Sequence, residues 1–242
     1  MATVGFSTGA IAHGDFEKGL RLLASSHTDA VELSALRTVE LAALLTAMTK
    51  RMSDLRHRYK YISFHAPTDS ENEEDLVDRL QGLADQGVSI VAHPDAMRDV
   101  PQWRRLKDML CIENMDSRKS TGRTAKELRP FFAQLPEARL CFDVGHAKQV
   151  DPTMTEASRI LSEFGDRLAQ VHMSEVNGKG KHFAMSFIAR RAFESLAEVL
   201  SRVPVILESP VRDDAAIRTE IDVAQSVLAH HPKASRTAME PD

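Results

Sequence analysis

The sequence predicts an α/β protein folded as a single (β/α)8 barrel, and three observations carry that expectation. Eight short runs rich in β-branched and apolar residues recur along the 242 residues. Polar stretches with helical periodicity separate most of them. Six successive runs also end in His, Asp or Glu, at the position where the strands of such a barrel bring side chains together.

The strand runs are 3–8, 29–34, 61–66, 88–93, 109–114, 139–144, 168–173 and 204–209. Between them, Phe16, Leu20 and Leu23 share one helix face, as do Ile217, Ile221, Ala224 and Leu228. Ser70 with Glu73 and Thr124 with Glu127 have capping-box spacing, and Asp151–Pro152 reads as an N-cap followed by proline at the first helical position. The link between the fourth and fifth strands is interrupted by Pro101, so it reads as a loop with one short helix. Barrels of this length form one domain, here residues 1–231. The last stretch, 232–242, loses its apolar periodicity and is expected to be a mobile tail.

Composition narrows the class. Lys and Arg number 31 against 35 Asp and Glu, a formal net charge of −4, which gives no electrostatic footprint for duplex DNA. No run approaches the ~18 apolar residues of a membrane span, and the N-terminus lacks the order of a secretory signal. Two cysteines provide no disulfide framework, so a cytoplasmic location is expected. Homo-oligomerisation is left open.

The strand ends carry, in order, His65, His93, Glu113, Asp143, His172 and Glu208. Any one of them alone is an ordinary structural residue. Three imidazoles and three carboxylates crowded at one mouth need a cation to offset their repulsion and unmet lone pairs. His146, three residues past Asp143, and His182, in the loop after the seventh strand, are within reach of the same mouth. Arg118, Lys119 and Arg123 follow Glu113, and Lys179 and Lys181 precede His182; these basic loops suggest an anionic small-molecule substrate, with Arg118, Lys119, Arg123 and Lys181 as its contacts. Cys111 and Cys141, two residues before Glu113 and Asp143, read as small buried residues one layer deeper in the barrel. Glu32 ends the second strand and either orients a ligand or meets Arg37, Trp103 offers an apolar wall, and the pair His230–His231 reads as solvated.

With those residues in place, the chain resembles the xylose isomerase-like TIM barrels, a superfamily of sugar isomerases and epimerases together with the endonuclease IV type of nuclease. The resemblance rests on "FHAP" (64–67), "AHPD" (92–95), "IENMD" (112–116), "FDVGHA" (142–147), "VHMSE" (171–175) and "LESP" (207–210). It implies two site types. The isomerase type holds one divalent cation, Mn²⁺ or Mg²⁺, on Glu113, Asp143, His172 and Glu208, with Glu113 and Glu208 exchanging protons with the substrate. The nuclease type holds up to three Zn²⁺ ions and adds His65, His93, His146 and His182. That type expects an aspartate where this chain has Gly180, with Glu175 or a water as the substitute, and the glycine-rich turn after its histidine is replaced by "FAMSF".

The leading expectation is thus a divalent-metal-dependent isomerase or epimerase of a small sugar, polyol or keto-sugar, phosphorylated or not, with Glu113, Glu208 and His146 as catalytic residues. The alternative is a multinuclear metallohydrolase or phosphoesterase, and the outsider a multinuclear iron oxidase. A non-enzymatic role predicts a ring that binds no metal.

Overall fold

A computed structural model describes residues 2–26 and 28–230. The strands are β1 (Val4–Ser7), β2 (Ala30–Ser34), β3 (Tyr61–His65), β4 (Ser89–Ala92), β5 (Leu110–Glu113), β6 (Arg139–Asp143), β7 (Leu168–Met173), the short β8 (Glu175–Val176) and β9 (His182–Phe183), and β10 (Val205–Leu207). All except β8 and β9 form one closed parallel barrel in the order β1-β10-β7-β6-β5-β4-β3-β2. The expected (β/α)8 barrel is therefore present, with each of its eight strands inside a run read from the sequence. The expected tail and His231 lie outside the described residues.

Alternation along each strand sets the barrel's character. In β5, Ile112 points outward into the apolar layer under the helices, while Cys111 and Glu113 point inward. The same parity puts Val31, Phe64 and Phe142 outside and Glu32, Ser63, His65, Cys141 and Asp143 inside. Helices α1 (Thr8–Ala12), α2 (Phe16–Leu23), α3 (Thr38–Arg58), α4 (Glu73–Ala84), α5 (Ala125–Gln134), α6 (Val144–Val150), α7 (Thr155–Phe164), α8 (Phe187–Glu194), α9 (Ala197–Leu200) and α10 (Asp214–Leu228) follow the strands. Among the described residues no helix is long and apolar enough to cross a membrane.

Three local readings need correction. Asn72, not Ser70, caps α4 by accepting from the Asp75 backbone N–H. Asp151 closes α6 rather than capping α7 directly, although its carboxylate accepts from the Glu156 backbone N–H at 2.9 Å. The link between β4 and β5 holds two 3₁₀ segments, Pro94–Ala96 and Val100–Met109, rather than one short helix. Thr124 caps α5 as expected, but Glu127 turns its side chain to Arg123.

Glu73 organises that irregular link. Its buried carboxylate accepts from the backbone N–H groups of Arg98 (2.6 Å) and Asp99 (2.9 Å) and from Trp103 Nε1 (3.2 Å). Trp103, within the second 3₁₀ segment, is thereby buried and contributes no wall to the pocket of the barrel mouth. Removing Glu73 strands two backbone N–H groups and the Trp103 indole N–H, and releases the Arg98 guanidinium. Glu73→Ala should cost about 2–4 kcal/mol, lowering the urea midpoint without changing its slope, and Glu73→Gln, which keeps an acceptor oxygen, should cost less.

Candidate metal centre

The pocket at the C-terminal mouth of the barrel is a cavity of about 740 Å³. His65, His93, Glu113, His146, His182 and Glu208 line it, and Asp143 and His172 sit buried beneath. All eight expected ligand residues are thus gathered at one end of the barrel. Their ligand atoms form two compact groups, His65–His93–Glu113 and Glu113–Asp143–His172–Glu208, with Glu113 in both.

Two of the imidazoles, those of His65 and His172, are anchored on one side by a group that can only accept, which fixes the face each turns to the centre. His65 donates from Nδ1 to the Ala66 carbonyl (3.0 Å) and turns Nε2 to Glu113 Oε2 at 3.2 Å. His93 Nε2 reaches the same oxygen at 3.2 Å, while its Nδ1 lies 3.9 Å from Asp95, whose other oxygen takes Lys119 Nζ at 3.0 Å. His172 donates from Nε2 to Glu32 Oε2 (3.0 Å), leaving Nδ1 turned to Glu113 Oε1 (3.5 Å) and Glu208 Oε1 (3.6 Å). Glu113 therefore offers Oε2 to one group and Oε1 to the other.

Asp143 divides its oxygens as well. Oδ1 accepts the His146 backbone N–H at 2.6 Å and caps α6, while buried Oδ2 has no hydrogen-bond partner. The Asn114 side chain donates to the Asp143 carbonyl and accepts its N–H, both at 2.8 Å, locking the end of β6 to β5. Gly145 is needed here because a Cβ would stand 2.3 Å from the Ser174 carbonyl oxygen. The motif "DVGH" is thus a capped helix start pressed against the end of β7.

His146 donates from Nδ1 to the Asn114 carbonyl (3.0 Å), with Glu113 Oε1 and Asp143 Oδ2 each 3.3 Å away. His182, on β9, places Nδ1 at 2.8 Å from Ser174 Oγ and 3.4 Å from Glu208 Oε2. Neither histidine belongs to the two compact groups. Glu175 does not compensate: it pairs with Lys148 and accepts the Ser186 N–H.

The donor set fits divalent cations. His172 Nδ1 and Asp143 Oδ2, both turned to the centre, are buried without hydrogen-bond partners. Once His65 Nδ1 donates to Ala66, its Nε2 lone pair faces a carboxylate oxygen, an arrangement that only a proton or a metal ion relieves. With no metal ion, protons fill that role. Burial disfavours a charged His146, yet the Asp143 and Glu113 carboxylates outweigh it and push the ring up to about 10. Burial, with Glu208 and Glu113 nearby, raises Asp143 to about 6 against the pull of His146. Burial opposes the ionised form of Glu113 too, but the surrounding imidazoles hold it well below the usual carboxylate range.

Beneath the centre, Glu32 lies inside β2 rather than at its end, and it orients His172 instead of pairing with Arg37. Gln170 Nε2 (2.8 Å) and Ser63 Oγ (3.1 Å) donate to the same Glu32 oxygen, and Tyr61 donates to Gln170 at 2.7 Å. Cys111 and Cys141 are free and buried in that layer. Of the expected substrate contacts, Arg118, Lys119 and Lys181 line the cavity. Arg123 does not; its guanidinium is taken by Glu127, and it stands outside the lining. Arg212 and His13 line it unanticipated, because nothing local in their loops marks them. His230 lies 4.0 Å from Glu194, away from the site.

Glu32→Gln keeps the shape of that anchor and removes its charge. It should weaken metal binding by about 10- to 100-fold in competition with a fluorescent chelator, while the far-UV circular dichroism stays unchanged.

No protein-family model matches the chain, and no curated protein does. Solved structures do. Endonuclease IV from Thermus thermophilus superposes with a TM-score of 0.63 at 20% identity, covering 93% of this chain and 98% of that one. The 3-keto-D-glucoside 4-epimerase of E. coli gives 0.61 at 16% identity, covering 93% and 100%. A xylose isomerase-like TIM barrel protein from Mycobacterium smegmatis, in complex with magnesium, gives 0.56 at 14%, covering 95% and 98%. These superpositions bear out what the strand order pointed to: the chain has the fold of the xylose isomerase-like TIM barrels.

Proposed function

We propose that the protein is a metal-dependent hydrolase of a small phosphate ester, in which His65, His93 and Glu113 would hold one divalent cation and Glu113, Asp143, His172 and Glu208 a second. One observation carries this reading: the two oxygens of Glu113 face separate ligand groups, His65 and His93 on one side, and His172 with Asp143 and Glu208 on the other. Bound there, a cation pair supplies charge neutralisation for a phosphoryl group and makes water acidic enough to attack at neutral pH. The imidazole-rich group suits zinc or manganese better than magnesium.

The chain's own residues do the rest. Arg118, Lys119, Lys181 and Arg212 surround the cavity with positive charge that draws in and holds an anionic ester. His146 keeps Nδ1 on the Asn114 carbonyl and so turns the other edge of its ring away from it, in a cavity wall where it can hand a proton to a departing oxygen. The apolar body of Phe183 borders the same space.

The isomerase or epimerase expected from the sequence is the second reading. The quartet Glu113, Asp143, His172 and Glu208 is compact and complete in itself, and epimerases stand among the superposed structures. That reading asks Glu113 to take a proton from carbon. A carboxylate 1% exposed, with imidazoles against both oxygens, suits a fixed bridge better.

Metal analysis of protein loaded with Zn²⁺ or Mn²⁺ should find two equivalents per chain, and one in His65→Ala and His93→Ala. Each variant should lose at least about 100-fold in hydrolysis of p-nitrophenyl phosphate. One equivalent in the wild type, with solvent deuterium entering a keto-sugar at a rate unaffected by His65→Ala, would establish the second reading instead; iron in the purified protein would favour oxidation.

A further inference from the structure

Arg118 leaves the loop after β5 and lies across the cavity wall. Both oxygens of Asp116 hold it, Oδ1 accepting from Nε at 2.8 Å and Oδ2 from Nη2 at 3.0 Å, and Oδ1 also accepts its backbone N–H at 2.9 Å. Asp116 is only 2% exposed, so the fork is anchored from inside the protein. On its other side the guanidinium meets Gly180, whose carbonyl lies 3.5 Å from Nη2. A Cβ on Gly180 would stand 2.0 Å from the guanidinium carbon. The glycine sits at φ +63° in the turn between β8 and β9, next to Lys181, which makes no ion pair among the described residues.

The geometry points to a phosphate subsite: we propose that Gly180 exists to admit the Arg118 guanidinium, which, fixed by Asp116, takes the non-bridging oxygens of the substrate's phosphate beside the metal centre. The inference rests on the hydrolase reading and adds its specificity determinant. Nε and Nη2 are engaged by Asp116, leaving Nη1 without a partner among the described residues, on a cavity that also contains Glu113, His146 and His182. A guanidinium held flat on bare backbone loses little freedom on meeting an anion. An aspartate at 180, the residue that the resemblance expects, would need the volume that the guanidinium fills. At this corner the chain carries a covalently attached cation in place of another metal ligand.

The test uses inorganic phosphate as the probe, titrated calorimetrically into Zn²⁺-loaded and metal-free protein, with metal content measured on the same samples. Arg118→Ala should weaken phosphate binding at least about tenfold, and Arg118→Lys, which keeps charge but loses the fork, by a smaller factor. Gly180→Ala should match Arg118→Ala, because the methyl evicts the guanidinium. The double variant should then be no weaker than Arg118→Ala, since both changes remove one contact. Arg123→Ala, outside the cavity, should bind as the wild type does. Phosphate affinity unchanged in Arg118→Ala overturns the subsite, and so do additive losses in the double variant. Should Gly180→Ala fail to fold, the Arg118 pair decides alone. A wild type that takes up no metal but binds phosphate through Arg118 refutes the hydrolase reading and keeps the subsite; two metals with Arg118-independent phosphate does the reverse.

Discussion

The site depends on one carboxylate that cannot stand alone. Glu113 is buried at the end of β5 with ring nitrogens of His65, His93, His146 and His172 all within 3.5 Å of its oxygens. A buried anion in that position is tolerable only while positive charge surrounds it, whether as protons on imidazole or as metal ions. Everything nearby serves to aim that charge. Ala66 and Glu32 each hold the far side of one imidazole, so that the near side of His65 and of His172 is determined before any ligand arrives, while Asn114 takes the same His146 nitrogen that faces Glu113.

The barrel makes this arrangement possible through its alternation. Large apolar side chains occupy the outer face, against the helices, while the inner face below the site carries Ser63, Glu32, Gln170 and Tyr61 in one connected hydrogen-bonded chain. The consequence is a polar column reaching from the candidate metal centre down into the barrel, beside the small side chains of Val91, Cys111, Cys141 and Ala169. A fully apolar interior would leave His172 without its anchor and free to present either nitrogen.

How far the sequence was legible follows from how local each signal is. Strand runs and their terminal residues are consecutive letters, so the barrel and the six strand-end candidates could be read directly. The direction of each ring could not, because Ala66 lies next to His65 but Glu32 reaches His172 from 140 residues away. Arg118 and Arg123 look equivalent in the loop, yet Glu127 takes one and Asp116 with Gly180 positions the other. Trp103 and Asp151 were misplaced for the same reason: Glu73 and Glu156 compete for them from other elements or the next helix. Gly180 looked like a missing ligand, and its meaning emerged only with the side chain that lies against it.

Asp143 serves two masters, giving one oxygen to the first turn of α6 and the other to the centre. Replacing it therefore confounds architecture with chemistry: an inactive Asp143 variant says nothing about ligation, since the helix that carries His146 would come loose at the same stroke. His65 and His93 hang from strand ends with no such second duty, and the function of this protein is best interrogated through them.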